Sequence, residues 1–252
     1  MNRIKNYENL KMRITSWIQN YVSDNNIKAL VIGVSGGIDS AVVSTLCAET
    51  GIKTYVLSMP LLSKIDSDKL SDEHTKLLEK KYNNVIRIRV DLSDVYNKFI
   101  HSLNLWTDSL EYINNELANA NTKSRLRMVT LYQIAGTVGG IVVGTGNKVE
   151  DYGIGFYTKY GDGGVDIAPI ADLYKTEVWE LGKYLGVNQS IIDAKPTDGL
   201  WDDGRTDEDQ IGASYTELEQ AMETGEGPGL GPLLKFSTMN RHKMNPIPTF
   251  KI

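Results

Sequence analysis

The chain has 252 residues, which a prior of about 150 residues per domain makes one large domain or two small ones, and its core needs no covalent staples. Its single cysteine, Cys47, excludes a disulfide framework and any multi-cysteine metal site, while His74, His101 and His242 are too scattered to build a histidine centre. A net charge of −5, with 41% hydrophobic and 23% charged residues, describes an ordinary soluble chain and argues against a general nucleic-acid binder, which carries a basic face.

Ile4, Tyr7, Leu10, Ile14, Trp17, Ile18 and Tyr21 recur at three- and four-residue steps and predict an amphipathic helix over 3–22. The apolar run ALVIGVS (29–35) leads into glycines and predicts a buried strand, followed by a helix over 40–49 that Gly51 stops. A second strand (53–60) and helix (71–81) come next, then a third strand (84–90) and a helix capped by Ser93. A long helix from about Asn115 to Thr137 leads into a fourth strand, GIVVGTG (140–146). Strands alternating with helices predict parallel βαβ units and an α/β, doubly wound, mostly parallel sheet in a single domain.

The last third changes character. Residues 152–166 hold five glycines and three tyrosines, too many glycines for a helix or a central strand, and predict a mobile segment, either a closing lid or a floppy surface loop. Helices are expected over 175–186, near 188–194 and over about 207–222, with Ser214 and Glu217 at capping-box spacing marking a break in the last. A turn-rich linker (225–232) and a basic tail with Arg241, His242 and Lys243 follow. No apolar run reaches the roughly 18 residues of a membrane span and the start lacks a leader pattern, so a cytoplasmic protein is expected.

The richest segment is VIGVSGGIDS (31–40), where a strand meets Ser-Gly-Gly and a helix opens on an acid and a serine. Glycines admit a ligand close to the backbone, and the free N–H groups of a helix start favour an anion such as phosphate. The spacing is neither that of a Walker A loop nor that of a dinucleotide G-x-G-x-x-G fingerprint. Gly33-Val34-Ser35-Gly36-Gly37 also fits the G-x-S-x-G elbow of serine hydrolases, with Ser35 as nucleophile and His242 as base, but no earlier strand would supply the oxyanion donor. A plain strand-to-helix turn, with Asp39 serving only the helix dipole, is the third reading.

SGGIDS resembles the pyrophosphate loop of the ATP-pyrophosphatase superfamily. Together with NTKSRLRM (121–128), VGTGNKVED (143–151), FYTKYGDGGVDIAPIADLYKTEV (156–178), KPTDGL (195–200) and RHK (241–243), it is similar to the ammonia-dependent NAD synthetases over nearly the whole chain. The loop continues as Ser40-Ala41 where many members have Ser-Thr, which removes one hydroxyl and leaves the backbone cradle. The resemblance implies an adenine nucleotide alpha-hydrolase-like fold and the ATP-driven amidation of deamido-NAD by ammonia. It implies that Gly33, Val34, Ser35, Gly36, Gly37, Ile38, Asp39 and Ser40, with Thr145, Lys175 and Thr197, contact ATP. Asp39 and Glu150 would hold Mg²⁺, and Asp39 and Lys175 would be catalytic. Arg125, Lys159, Asp166, His242 and Lys243 would bind deamido-NAD, and the protein would be a homodimer.

Some of these roles also have plain chemical readings. Arg125 and Arg127 lie two positions apart on a predicted helix, so one is expected to reach the site while the other is solvated. A lysine at a helix start, as at Lys175, works against the helix dipole and is poorly explained as a structural choice. Tyr152, Tyr157 and Tyr160 could stack on a ring or pack the lid, and Cys47 reads as core. Another adenylating member of the superfamily and a non-catalytic nucleotide-binding module are the remaining alternatives.

Overall fold

The computed structural model of the protein describes residues 3–62, 65–104, 115–197 and 206–251. Helix α1 (Tyr7–Asp24) precedes strand β1 (Ala29–Gly33), whose apolar residues are buried on both faces. Then come α2 (Ile38–Glu49), β2 (Thr54–Ser58), α3 (Ile65–Lys81), β3 (Val85–Arg89), α4 (Ser93–Asn104), α5 (Glu116–Val138) and β4 (Gly140–Val142). All pairings are parallel and the strand order is β3-β2-β1-β4, with Val31 facing both Tyr55 and Val142. The chain therefore winds outward from β1 to β3 and returns to the other side of β1. That reversal makes the carboxyl ends of β1 and β4 the natural ligand crevice of the sheet.

The period-2 pattern of β1 divides the core. Leu30 and Ile32 join Ile18 of α1, Val42 and Leu46 of α2 and residues that follow β4, while Val31 joins Leu57, Val142 and Ala135 on the α5 side. Cys47 is fully buried in the first of these clusters, as the sequence implied. Among the described residues no helix is long and apolar enough to cross a membrane.

A π-helix (Lys148–Ile154) follows β4, and α6 (Lys175–Leu185), α7 (Gln189–Ile192), α8 (Asp207–Ile211), α9 (Tyr215–Thr224) and α10 (Leu230–Met244) complete the described elements. Val149, Ile154, Tyr174, Ile211, Tyr215 and Leu218 form a separate cluster that joins the π-helix to α8 and α9. The expected helix over 207–222 is broken where foreseen: Ser214 caps α9, and Glu217 reaches back to its backbone N–H at 2.8 Å.

Three expectations change. The ladder of β4 stops at Val142 because Val143 bridges to Ile167 and Gly144 N–H donates to Ile167 O at 2.7 Å, so the strand is shorter than 140–146. Ser93 is the first residue of α4 rather than its cap: its hydroxyl accepts the Leu62 N–H, and Asp91 accepts the Ser93 N–H. The basic tail is the last turn of α10. Pro232 sits in the first turn, where its missing N–H is harmless, and Arg241, His242 and Lys243 suit the negative end of the dipole. Residues 198–200 of the KPTDGL segment lie outside the described residues.

Candidate active site

The loop after β1 is shaped from beneath by α3. Val34 N–H donates to Leu57 O at 2.8 Å, and the buried Ser71 hydroxyl donates to Val34 O at 2.7 Å. Gly36 has φ +93, and a Cβ there would stand 2.5 Å from Ser67 O, so the loop must be glycine where it crosses α3. Ser40 Oγ donates to Gly37 O at 3.0 Å and accepts Ser35 N–H at 3.1 Å, while Ser35 Oγ accepts Gly37 N–H at 3.2 Å. Gly37 caps α2 with no side chain, which leaves the first-turn N–H groups to an external anion. Gly36→Ala is expected to cost about 1–3 kcal/mol of stability and to weaken ATP binding about tenfold, measured by urea unfolding and nucleotide titration. Unchanged ATP affinity would show that the loop does not need this conformation.

Asp39 projects from the first turn of α2 and meets Lys175, the first residue of α6. Lys175 is 3% exposed, and its Nζ lies 2.5 Å from Asp39 Oδ2 and 2.9 Å from Glu150 Oε1. Two helices are pressed together to achieve this: a Cβ on Gly182 of α6 would lie 2.6 Å from Ile38 Cδ1 of α2. Glu150 comes from the π-helix, whose cap, Asn147, accepts the Val149 and Glu150 N–H groups and donates to Asp39 Oδ1 at 3.1 Å. Irregular backbone of this kind is frequent at functional sites.

Burial alone would lower the lysine, but Asp39 and Glu150 hold the Lys175 ammonium above its ordinary range. Burial pushes Asp39 above the usual carboxylate range, with Lys175 opposing and Glu150 reinforcing. Burial also works to raise Glu150, yet Lys175 and the Tyr215 hydroxyl carry it below its ordinary value. Two carboxylates against one ammonium leave net negative charge beside a helix start whose N–H groups are open to an anion. Both are hard oxygen donors that fit a divalent cation. Among the described residues no group of three or more candidate ligands exists, so an ion here must complete its shell with water and phosphate oxygens, the habit of Mg²⁺.

A family model for NAD synthase matches residues 10–243 of this chain. The chain belongs to the NAD synthase family. It is 39% identical over 223 residues to an NH(3)-dependent NAD(+) synthetase of Carboxydothermus hydrogenoformans, covering 88% of each. It is 40% identical to one of Finegoldia magna, covering 86% of this chain and 85% of the relative. Among solved structures, an NMN synthetase from Francisella tularensis superposes with a TM-score of 0.89 at 31% identity, covering 99% of this chain and all of that one.

Within this family fold, the residues that the sequence pointed to separate into groups. Gly33–Ser40, Asp39, Glu150 and Lys175 meet at the carboxyl end of β1, and Thr145 follows β4, the neighbouring strand. Thr197 sits next to Pro196, whose carbonyl accepts the Asp207 N–H at 3.0 Å, close to the same cluster. A basic rim forms elsewhere. Arg125 Nε donates to Lys159 O at 3.3 Å, Lys159 Nζ to His242 O at 3.2 Å, and Lys243 Nζ to Tyr157 O at 2.8 Å. Asp166 has a structural task, accepting Val142 N–H at 2.7 Å and the Tyr132 hydroxyl at 3.0 Å.

Ser35 does not sit as a hydrolase nucleophile: its hydroxyl is engaged with Ser40 Oγ and Gly37 N–H, while His242, the base of that reading, lies in the last turn of α10. Arg127 is not the solvated partner of Arg125; it is half-buried and donates to Met59 O, while Arg125 is exposed. The glycine-rich segment, expected to be mobile, is fastened by Asp162, which accepts Ser124 Oγ at 2.8 Å and Thr158 N–H at 2.9 Å. Sequence reasoning missed Asn147, Ser71, Asp207 and Tyr215. Asn147 alone carried a signal, lying inside the GTGNKVED motif.

Proposed function

We propose that this chain makes NAD⁺ by amidating deamido-NAD with ammonia at the expense of ATP. The nicotinate carboxylate attacks the α-phosphate, giving an adenylated dinucleotide and pyrophosphate, and ammonia then displaces AMP. The observation that carries this reading is the meeting of Asp39, Glu150 and Lys175 at the mouth of the SGGIDS loop. Gly33–Ser40, Thr145 and Thr197 take ATP, and Lys175 offsets charge developing on its phosphates. Arg125, Lys159, His242 and Lys243 present a basic rim to the anionic dinucleotide, and the family resemblance adds Asp166 to the same substrate. Bound at Asp39 and Glu150, Mg²⁺ would neutralise phosphate charge. Homodimeric assembly and a cytoplasmic setting belong to the same proposal and rest on the family resemblance.

Pyrophosphate release from ATP should require both the acid substrate and Mg²⁺, with amide product appearing only when ammonium is present. The Francisella tularensis relative supports a second arm, in which nicotinic acid mononucleotide replaces the dinucleotide. A higher kcat/KM for the mononucleotide would decide for that arm.

Ammonia is expected as the nitrogen source. Opening glutamine commonly takes a reactive thiolate, and Cys47 is fully buried, which pushes its thiol well above the ordinary range. Cys47→Ala should cost about 1 kcal/mol and leave the preference for ammonium over glutamine unchanged. Glutamine-driven synthesis that disappears in Cys47→Ala would overturn this.

A further inference from the structure

Tyr215 lies directly beneath the Asp39–Lys175–Glu150 cluster and is 1% exposed. Its ring is gripped independently of its hydroxyl: Trp179 packs edge-on at 6.0 Å, and Lys175 Nζ stands 4.9 Å from the ring centroid. A phenylalanine would satisfy both contacts, so packing does not account for the oxygen. The hydroxyl lies 2.6 Å from Glu150 Oε1 and 3.2 Å from Asp207 Oδ2. Lys175 donates to that same Glu150 Oε1 at 2.9 Å. Both donors thus converge on one oxygen, and Asn147 is a further side-chain hydrogen-bond partner of Glu150. The terminal torsion of a glutamate is broad and two-fold, so each donor removed widens the rotation left to the carboxylate.

We propose that Tyr215 is a positioning residue, whose hydroxyl, together with Lys175, restricts the rotation of the Glu150 carboxylate and so holds it ready for the metal accompanying ATP. This rests on the reading of Asp39 and Glu150 as the ligands of that metal. Residues that orient a metal ligand commonly change metal affinity about 10- to 100-fold when removed.

The test uses Mn²⁺ as the probe, with an ATP analogue carrying methylene between its α and β phosphates so that no turnover occurs. Free Mn²⁺ is read by electron paramagnetic resonance for the parent, Tyr215→Phe, Glu150→Gln and Trp179→Phe, with melting temperatures recorded alongside. Tyr215→Phe should bind Mn²⁺ about 10- to 100-fold more weakly. Trp179→Phe, which loosens the same packing but keeps the hydroxyl, should stay within about twofold of the parent. Parent-like affinity in Tyr215→Phe, beside a weakened Glu150→Gln, overturns the proposal alone. Equal weakening in Trp179→Phe also overturns it, because packing would then be the cause. Parent-like affinity in Glu150→Gln overturns the metal reading itself.

Discussion

Asp39→Asn is expected to lower pyrophosphate release about a hundredfold or more while leaving the protein folded. The amide keeps the shape but removes a metal-binding charge at the point where phosphate charge develops, and electrostatic groups of this kind carry effects of that size. Stability should fall far less than activity, because Glu150 stays paired with the Lys175 ammonium and burial, reinforced by Glu150, already opposes the ionised Asp39 carboxyl that asparagine replaces. Turnover at saturating Mg²⁺, measured together with the melting temperature, checks both halves. Near-parent turnover in the folded variant would remove Asp39 from the metal site.

Lys175→Met should have the opposite signature, losing stability as well as activity. Lys175 is 3% exposed, and its two partners are 16% exposed each, so its removal leaves two carboxylates facing one another in a largely dry site. Stripping one member from a buried ion cluster typically costs about 3–5 kcal/mol. The cost must depend on pH. Without the ammonium, burial and mutual repulsion raise both carboxyls, so stability is retained at low pH and lost as pH rises. The deficit relative to the parent should therefore be smaller near about pH 5 than near about pH 8 in urea unfolding. An equal deficit at both would mean that lost packing, not charge, is responsible.

These two variants draw on residues that were legible in the sequence, because each belongs to a local pattern. Asp39 follows a glycine loop at a helix start, and Lys175 stands where a helix dipole disfavours it. The alternation of apolar strands with helices likewise exposed the parallel sheet. What escaped was made by tertiary contact alone. Tyr215 sits in an ordinary capping-box helix, and only folding carries its hydroxyl to Glu150, 65 residues away. Spacing put Arg125 and Arg127 on different helix faces without saying which is solvated, and only folding turns the Arg127 face toward Met59. The helix of residues 230–244 was obscured by its own beginning, since GEGPGLGP looks like a turn until Pro232 is seen to occupy the first helical turn.

The strand order carries a consequence for how the chain is made. β1 lies between β2 and β4, and it ends at Gly33 while β4 begins only at Gly140. On a ribosome adding about 5–20 residues per second, the most apolar strand of the sheet waits on the order of ten seconds for its second neighbour. Throughout that interval one edge of β1 offers unpaired N–H and C=O groups to any passing strand, including the same strand of another nascent copy. The glycine loop that follows β1 is thus anchored to a half-finished sheet during synthesis. The electrostatic cluster closes later still, when Lys175 reaches Asp39 across 136 positions of chain.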